Sequence, residues 1–267
     1  MRGINQVHYI GSVTQQPDMK YTPGGLAILE VTVAGKQQII TADGTAKAVS
    51  FYNRCKCFGA YAEALAESLQ QGDVLSVHGR LDYRSYEGEG GKKRSTVETV
   101  ITTLQTLEGH FITTDDSRGQ PVLLNGLNTV TIGGNLTRNP ELRYTPTNNS
   151  ITHLNVAVNE RYGSEDQEKV GFFDLQGWGE LAEALAGGSK GAGIIGVGRL
   201  LNESWEDGEG QKRYGTKVEL ERGYFVSSGT SKKAPAQSTS KPNRKGERTT
   251  PHGSLEEDFP PEDQLPF

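Results

Sequence analysis

The sequence predicts an all-β protein with one short helix per domain: two tandem five-stranded barrels, then a disordered C-terminal tail. Three observations carry this. The stretch from Asn5 to Pro23, NQVHYIGSVTQQPDMKYTP, is written again from Asn128 to Pro146 as NTVTIGGNLTRNPELRYTP. The copies agree at one fixed offset, among them at Gly11/Gly134, Pro17/Pro140 and the Tyr-Thr-Pro endings, and Lys20/Arg143 keeps its positive charge. A repeat of roughly 120 residues is too long for a solenoid unit and has the size of a small domain. Each copy reads as short strands rich in β-branched and aromatic residues, punctuated by Gly, Pro and Asn. After Val226 the composition changes abruptly.

In the first copy, Gln6–Ile10, Ile28–Val33 and Ser50–Phe58 read as three strands. Tyr61, Leu65 and Leu69 then recur at helical spacing within YAEALAESLQQG, which predicts one short amphipathic helix stopped by Gly72. Val74–Arg84 and Thr96–Leu107 return to a strand pattern. The second copy repeats the order: Thr129–Leu136, Ile151–Val158 and Phe172–Trp178, a helix in ELAEALAGG, then Ile194–Asn202 and Tyr214–Val226. FGAYAEALA recurs as WGELAEALA, and HGRLDYRSYEGEGGKKR as VGRLLNESWEDGEGQKR. Five strands with a helix between the third and fourth is the order of an OB-fold, whose sheet face and loops bind oligonucleotides or oligosaccharides.

These readings divide the chain into a first OB-fold at 1–110, a connector at 111–127 and a second OB-fold at 128–226. The DDSRGQP core of the connector is polar. Residues 227–254 are rich in Ser, Thr, Lys and Pro and lack aromatics, so they predict a disordered linker. The tip at 255–267 reads LEEDFPPEDQLPF.

The chain has 267 residues, enough for about two domains. It holds no run approaching the roughly 18 apolar residues of a membrane span. The N-terminal MRGINQVHYIG lacks an apolar signal core, so a cytoplasmic protein is expected. Cys55 and Cys57 are the only cysteines and sit two apart on a predicted strand. That spacing suits no mutual disulfide, and zinc would need two further ligands, so reduced structural thiols and no metal are expected. The formal net charge is −5. Residues 1–111 carry 11 basic and 11 acidic side chains, and 112–226 carry 11 and 16. An anionic partner must be held by local arrangement, since there is no bulk basic field.

Two patterns point to single-stranded nucleic acid. Tyr86 ends the predicted fourth strand, followed by EGEGG and then Lys92, Lys93 and Arg94. Trp205 repeats it with EDGEG, Gln211, Lys212 and Arg213. Aromatic faces stack on bases and nearby cations neutralise phosphates. The bland alternative is a pinned hairpin with solubilising charges. On the third strand, alternation puts Tyr52, Arg54, Lys56 and Phe58 on one face. The second copy keeps the aromatics Phe172 and Trp178 and replaces the cations with Asp174 and Gln176. The first domain is therefore expected to make the stronger phosphate contacts and the second the stronger stacking. Phe51 and Phe173 fall on the opposite, core face.

Enzyme signatures are poor. Gly191, Gly193 and Gly196 match a GxGxxG pattern, but the segment follows a helix and opens a strand, the reverse of a dinucleotide site. No catalytic constellation and no cofactor motif is found. The tail tip has two readings: acidic residues that solvate the chain, or a tethered peptide that docks into an apolar pocket with a basic rim. Phe259, Leu265 and Phe267 favour docking, because they are anomalous in a solvating tail.

These features together resemble the bacterial single-stranded DNA-binding protein family, in its branch with two OB-folds per chain. The matching residues are the N-x-V opening with its KYTP and RYTP endings, Phe58-Gly59 with Ala62-Glu63, Gly79-Arg80-Leu81 leading to Tyr86, and the terminal Leu265-Pro266-Phe267. The resemblance implies base stacking by Tyr52, Phe58, Tyr86, Phe172, Trp178 and Trp205. It also implies a further aromatic contact at Tyr162, where the first copy has Ile39. Lys20, Arg54, Lys56, Lys92, Lys93, Arg94, Arg143, Lys212 and Arg213 are the expected cationic contacts. The family implies that the tip, Asp258, Phe259, Pro260, Pro261, Glu262, Asp263, Gln264, Leu265, Pro266 and Phe267, recruits replication, recombination and repair proteins. It further implies a nucleoid-associated homodimer presenting four OB-folds. An RNA-binding OB protein and a hydrolase or transferase built on OB modules are the rival readings.

Overall fold

The computed structural model describes residues 3–41, 44–87, 93–162, 167–206, 210 and 212–227. The first barrel is built from β1 (Ile4–Val13), β2 (Asp18–Tyr21), β3 (Ala27–Ile40), β4 (Ala46–Phe58), α1 (Ala60–Ser68), β5 (Val74–Glu87) and β6 (Lys93–Thr106). A hairpin follows, β7 (Thr113–Asp115) with β8 (Pro121–Leu124). The second barrel uses β9 (Leu127–Leu136), β10 (Glu141–Tyr144), β11 (Ser150–Tyr162), β12 (Gln167–Trp178), α2 (Gly179–Ala186), β13 (Gly193–Glu206) and β14 (Lys212–Ser227). The fold is therefore mostly β, with two OB domains, as the sequence predicts.

Each barrel closes by the same pairings. β1 lies between β5 and β3, β3 pairs with β4, and β5 pairs with β6. One parallel pairing, Cys55 opposite Thr99, joins β4 to β6. The second barrel repeats this with β9, β13, β11, β12 and β14, closing at Leu175 opposite Val218. Period-2 patterning explains the cores. Leu29, Val31 and Val33 alternate inward on β3, as do Leu154, Val156 and Val158 on β11, and all six are buried. Phe51 and Phe173 are buried as well. The helices cover the barrel ends through Ala62 in α1 and through Ala182 and Leu185 in α2.

The repeated residues acquire reasons. A Cβ on Gly11 would lie 2.7 Å from the Ala34 carbonyl oxygen, and one on Gly134 would lie closer still to that of Ala157. These are the points where the first strand of each barrel crosses from one partner strand to the other. Thr22 Oγ1 accepts from the Leu26 amide at 3.0 Å, and Thr145 Oγ1 accepts from the Asn149 amide at 3.0 Å. The Tyr-Thr-Pro ending is thus a tight turn joining β2 to β3 and β10 to β11. Asn5 donates to the Leu81 carbonyl (2.7 Å) and accepts from its amide (2.9 Å). Asn128 does the same to Leu200 (2.9 and 3.1 Å).

The barrels meet through their first strands. β1 runs antiparallel to β9 from Ile4 opposite Gly133 to Ile10 opposite Leu127, with Val7 opposite its own repeat, Val130. The flanking pairs are reciprocal, Asn5 facing Ile132 as Tyr9 faces Asn128, as a local two-fold relation requires. A continuous sheet therefore runs β6–β5–β1–β9–β13–β14 through the middle of the molecule.

Three features depart from the sequence expectation. β2 and β10 are additional strands; they are almost wholly exposed, and at four residues each their polar–apolar alternation, DMKY and ELRY, is too short to mark a strand. The connector is not merely polar. Asp116 Oδ1 accepts from the Arg118 and Gln120 amides (2.8 and 2.9 Å), which shapes the β7–β8 turn, and β8 buries Val122 and Leu123 against the first barrel. Finally, the long strands extend beyond the expected limits, because hairpin partners satisfy backbone groups past the end of the apolar pattern. Cys55 and Cys57 are free and buried, and burial pushes the Cys57 thiol up to about 11.

Candidate nucleic-acid interface

The third strand of each barrel turns an aromatic row outward. On β4 the alternation leaves Tyr52 and Arg54 exposed and Lys56 and Phe58 half-buried, while Phe51, Asn53, Cys55 and Cys57 point inward. On β12, Phe172 is 42% and Trp178 36% exposed, a large apolar surface to leave on a strand that is not an edge. The rows differ in how they are held. Tyr52 donates its hydroxyl to Asp116 Oδ2 (3.2 Å) in the connector turn; burial and that carboxylate raise its pKa. Trp178 donates its indole N–H to Glu219 Oε2 on β14 (3.0 Å). Gln176 donates to the same oxygen (2.8 Å), and Arg199 forms an ion pair with Oε1. The Trp178 ring is therefore oriented before any ligand arrives, which removes part of the ordering cost of binding.

The expected cations are less free than the sequence suggests. Lys56 has a side chain only 15% exposed and is bound by Glu98 (2.7 Å) and Glu30 (3.3 Å). Lys20, on β2, pairs with Asp18 at 2.6 Å, and hydrogen bonding to that carboxylate raises its pKa. Arg54 keeps a side chain 65% exposed, with Glu30 no nearer than 4.0 Å. Glu30 thus gathers Lys20, Arg54 and Lys56 at one place on the first barrel. In the second barrel Arg143, on β10, pairs with Glu141 (2.7 Å). It lines a groove of about 430 Å³ with Arg138, His153, Asp174, Glu203 and Lys217. Burial, then Lys217 and Arg143, hold the His153 pKa below its usual value.

The arms β5–β6 and β13–β14 carry the second aromatic–cation set. β1 covers β5 only as far as Gly79, so the rest of that hairpin projects beyond the first strand. Tyr86, on β5, is exposed and stands opposite Arg94, one residue from Lys93 opposite Glu87. The backbone register repeats this with Trp205 opposite Arg213 and Glu206 opposite Lys212. Tyr162 ends β11 opposite Gln167. Lys92 and the tip from Asp258 to Phe267 lie outside the described residues. Sequence reasoning passed over Tyr21 and Tyr144, which occupy equivalent places on β2 and β10 and are about equally exposed, at 60% and 59%. Their only signal was their place in the repeated ending.

Among the described residues, no group of three or more His, Cys, Asp or Glu side chains could hold a metal ion. Among the same residues, no helix is long and apolar enough to cross a membrane.

Comparison with known proteins agrees with this geometry. The model of the Single-strand binding protein family matches residues 4–107 and again 127–226, one match per barrel. The Single-stranded DNA-binding protein of Thermus aquaticus is 41% identical over 273 residues, covering 100% of this chain and 99% of the relative. That of Deinococcus radiodurans is 34% identical over 299 residues, with 100% and 99% coverage. The crystal structure of the wild-type Thermus aquaticus protein superposes with a TM-score of 0.69 at 36% identity, over 88% of this chain and 98% of that one. Two family matches in one chain, on two barrels with the same outward aromatic row, make this chain a member of the single-strand binding protein family.

Proposed function

We propose that the chain binds and protects single-stranded DNA with little regard for base sequence and performs no chemistry on it. The observation that carries this reading is the pair of outward aromatic rows, Tyr52 with Phe58 and Phe172 with Trp178, at equivalent positions of two barrels. Every base has a face to stack, so such a platform tolerates sequence. Tyr86 and Trp205, with Lys93, Arg94, Lys212 and Arg213 on the paired strands, extend the platform along the arms. Relatives named single-stranded DNA-binding protein over their full length support the same assignment.

The finer parts of the reading are a role in replication, recombination and repair, a cytoplasmic, nucleoid-associated location, a homodimer with four barrels, and partner recruitment by the tip Asp258–Phe267. Domain limits at 1–110, 111–127, 128–226, 227–254 and 255–267 accompany it. Deleting Asp258–Phe267 leaves DNA binding intact or slightly tighter, because an acidic segment competes with phosphates, and abolishes pull-down of partner proteins. Unchanged partner recovery refutes the docking role, and light scattering at the monomer mass refutes the dimer.

The experiment for the function is intrinsic tryptophan fluorescence during addition of a dT oligomer, at low and high salt, with a duplex control. Trp178 and Trp205 are the only tryptophans and both belong to the second barrel. Strong quenching by the single strand and little by the duplex is expected. Absence of binding to the single strand, checked by anisotropy of a labelled oligomer, overturns the proposal.

A further inference from the structure

The outward face of the first barrel carries its cations inside a set of ion pairs, and one carboxylate ties that set together. Lys20 meets Asp18 (2.6 Å) and Lys56 meets Glu98 (2.7 Å). Glu30, on β3, reaches all three cations: Lys56 at 3.3 Å, Lys20 at 3.7 Å and Arg54 at 4.0 Å. Within this set Asp18, Glu30 and Glu98 balance Lys20, Arg54 and Lys56. The set shares its face with Tyr52 and Phe58.

The second barrel builds the same corner from other residues, and the strand registers fix the counterparts. Glu141 faces His153 as Asp18 faces Glu30, and His153 faces Gln176 as Glu30 faces Lys56. Asn155 faces Asp174 as Thr32 faces Arg54. Lys217 precedes Val218 at the closing pair as Glu98 precedes Thr99. The place of Glu30 is therefore taken by an imidazole, which lines the groove with Arg143 and Lys217. Since these strands pair in the same register without a carboxylate there, the ladder does not require one. What Glu30 does to its cations is then the feature peculiar to the first barrel.

We propose that Glu30 sets the affinity of the first barrel for single-stranded DNA by competing with the strand's phosphates for Arg54 and Lys20. The inference rests on the single-strand reading above and adds the internal anion that a bound strand must displace. Bases stacked on Tyr52 and Phe58 carry their phosphates past Arg54, which lies between them on the same face. Arg54 is the cation a phosphate takes first, because its side chain is 65% exposed and its approach to Glu30 is the longest of the three. Exposed ion pairs of this kind are weak, whereas a guanidinium grips a phosphate through two parallel hydrogen bonds. Lys56 is the least available, since Glu98 holds it as well and its side chain is 15% exposed. Displacement leaves a mark in the salt dependence. Each phosphate contact releases counterions from the strand. A displaced Glu30 gathers a cation from solution and offsets that release.

The test removes the competitor and leaves the cations. Glu30→Gln keeps the size of the side chain and an oxygen toward Lys56, which Glu98 still neutralises. Glu30→His copies the second barrel and serves as a second variant, and thermal unfolding of each verifies the fold. Glu67→Gln, exposed on α1, carries the same charge change away from this face. Affinity for a labelled dT oligomer is measured at pH 8 across a salt series. Both Glu30 variants are expected to tighten binding several-fold at low salt. Both also steepen the fall of log K with log salt by about 0.7, the release of one phosphate contact no longer offset. Glu67→Gln leaves the slope at the parent value. With Arg54→Gln already in place, Glu30→Gln yields less than half of its gain. A parental slope in both Glu30 variants, an equal change in Glu67→Gln, or the full gain without Arg54 overturns the competition while the single-strand reading stands. If the parent itself does not bind the oligomer, that reading fails, and the competition fails with it.

Discussion

Glu219 is the acceptor on which the outer face of the second barrel depends, and replacing it by Ala tests that dependence. It takes hydrogen bonds from Arg199, Gln176 and Trp178, and the Arg199–Glu219 side chains are only 11% and 18% exposed. Removing one partner of a buried ion pair costs about 3–5 kcal/mol, because the other charge is left uncompensated. Residual solvent access at Glu219 puts this pair at about 3 kcal/mol. Gln176 is buried and its Oε1 is already unpaired, so losing the acceptor for its Nε2 adds about 1 kcal/mol. The expected loss for Glu219→Ala is about 4 kcal/mol by urea unfolding followed through tryptophan fluorescence, with the m-value unchanged. The probe reports the second barrel, because both tryptophans lie there. In Glu219→Ala combined with Arg199→Met no charge is stranded, so the loss shrinks to about 1–2 kcal/mol. A loss below about 1 kcal/mol in the single variant refutes the reasoning, as does a double variant no more stable than the single one.

Other outcomes follow from the same structure. Trp178→Ala weakens dT binding by about 1–3 kcal/mol in an anisotropy titration, and parental affinity would remove this residue from the platform. Gly134→Val destabilises the chain by at least about 3 kcal/mol in thermal or urea unfolding, since its Cβ meets the Ala157 carbonyl; Gly24→Ala, with only Thr22 Oγ1 nearby at 3.9 Å, is close to neutral. His8 stacks on His78 with centroids 4.0 Å apart, and burial, then His78, hold the His8 pKa below 6.5. The unfolded chain therefore takes up this proton first, so stability falls as pH drops below about 6.5 and this contribution levels off below the depressed folded value. His8→Gln should flatten that part of the profile, and a profile unchanged by the substitution would sink the assignment.

The sequence by itself determined what is local or repeated. The duplicated opening announced two domains, period-2 alternation ordered the long strands, and the same alternation turned Tyr52 and Phe58, or Phe172 and Trp178, to one face. These properties follow from neighbouring residues and from pleat geometry, so no knowledge of distant contacts is needed. Tertiary structure decided the rest, because each remaining feature depends on which strands become neighbours. The strand-3 lysine, Lys56, reads as a phosphate contact until β3 and β6 bring Glu30 and Glu98 against it. The connector reads as a polar linker until β8 pairs with β3. Arg80 and Arg199 sit in the same GRL motif, yet Arg80 meets Asp82 and, across the boundary between the barrels, Glu160, while Arg199 meets Glu219 of its own barrel. A side chain's charge is written in the chain, but its partner is set by long-range register. Two repeats of one fold therefore give the same arginine different partners.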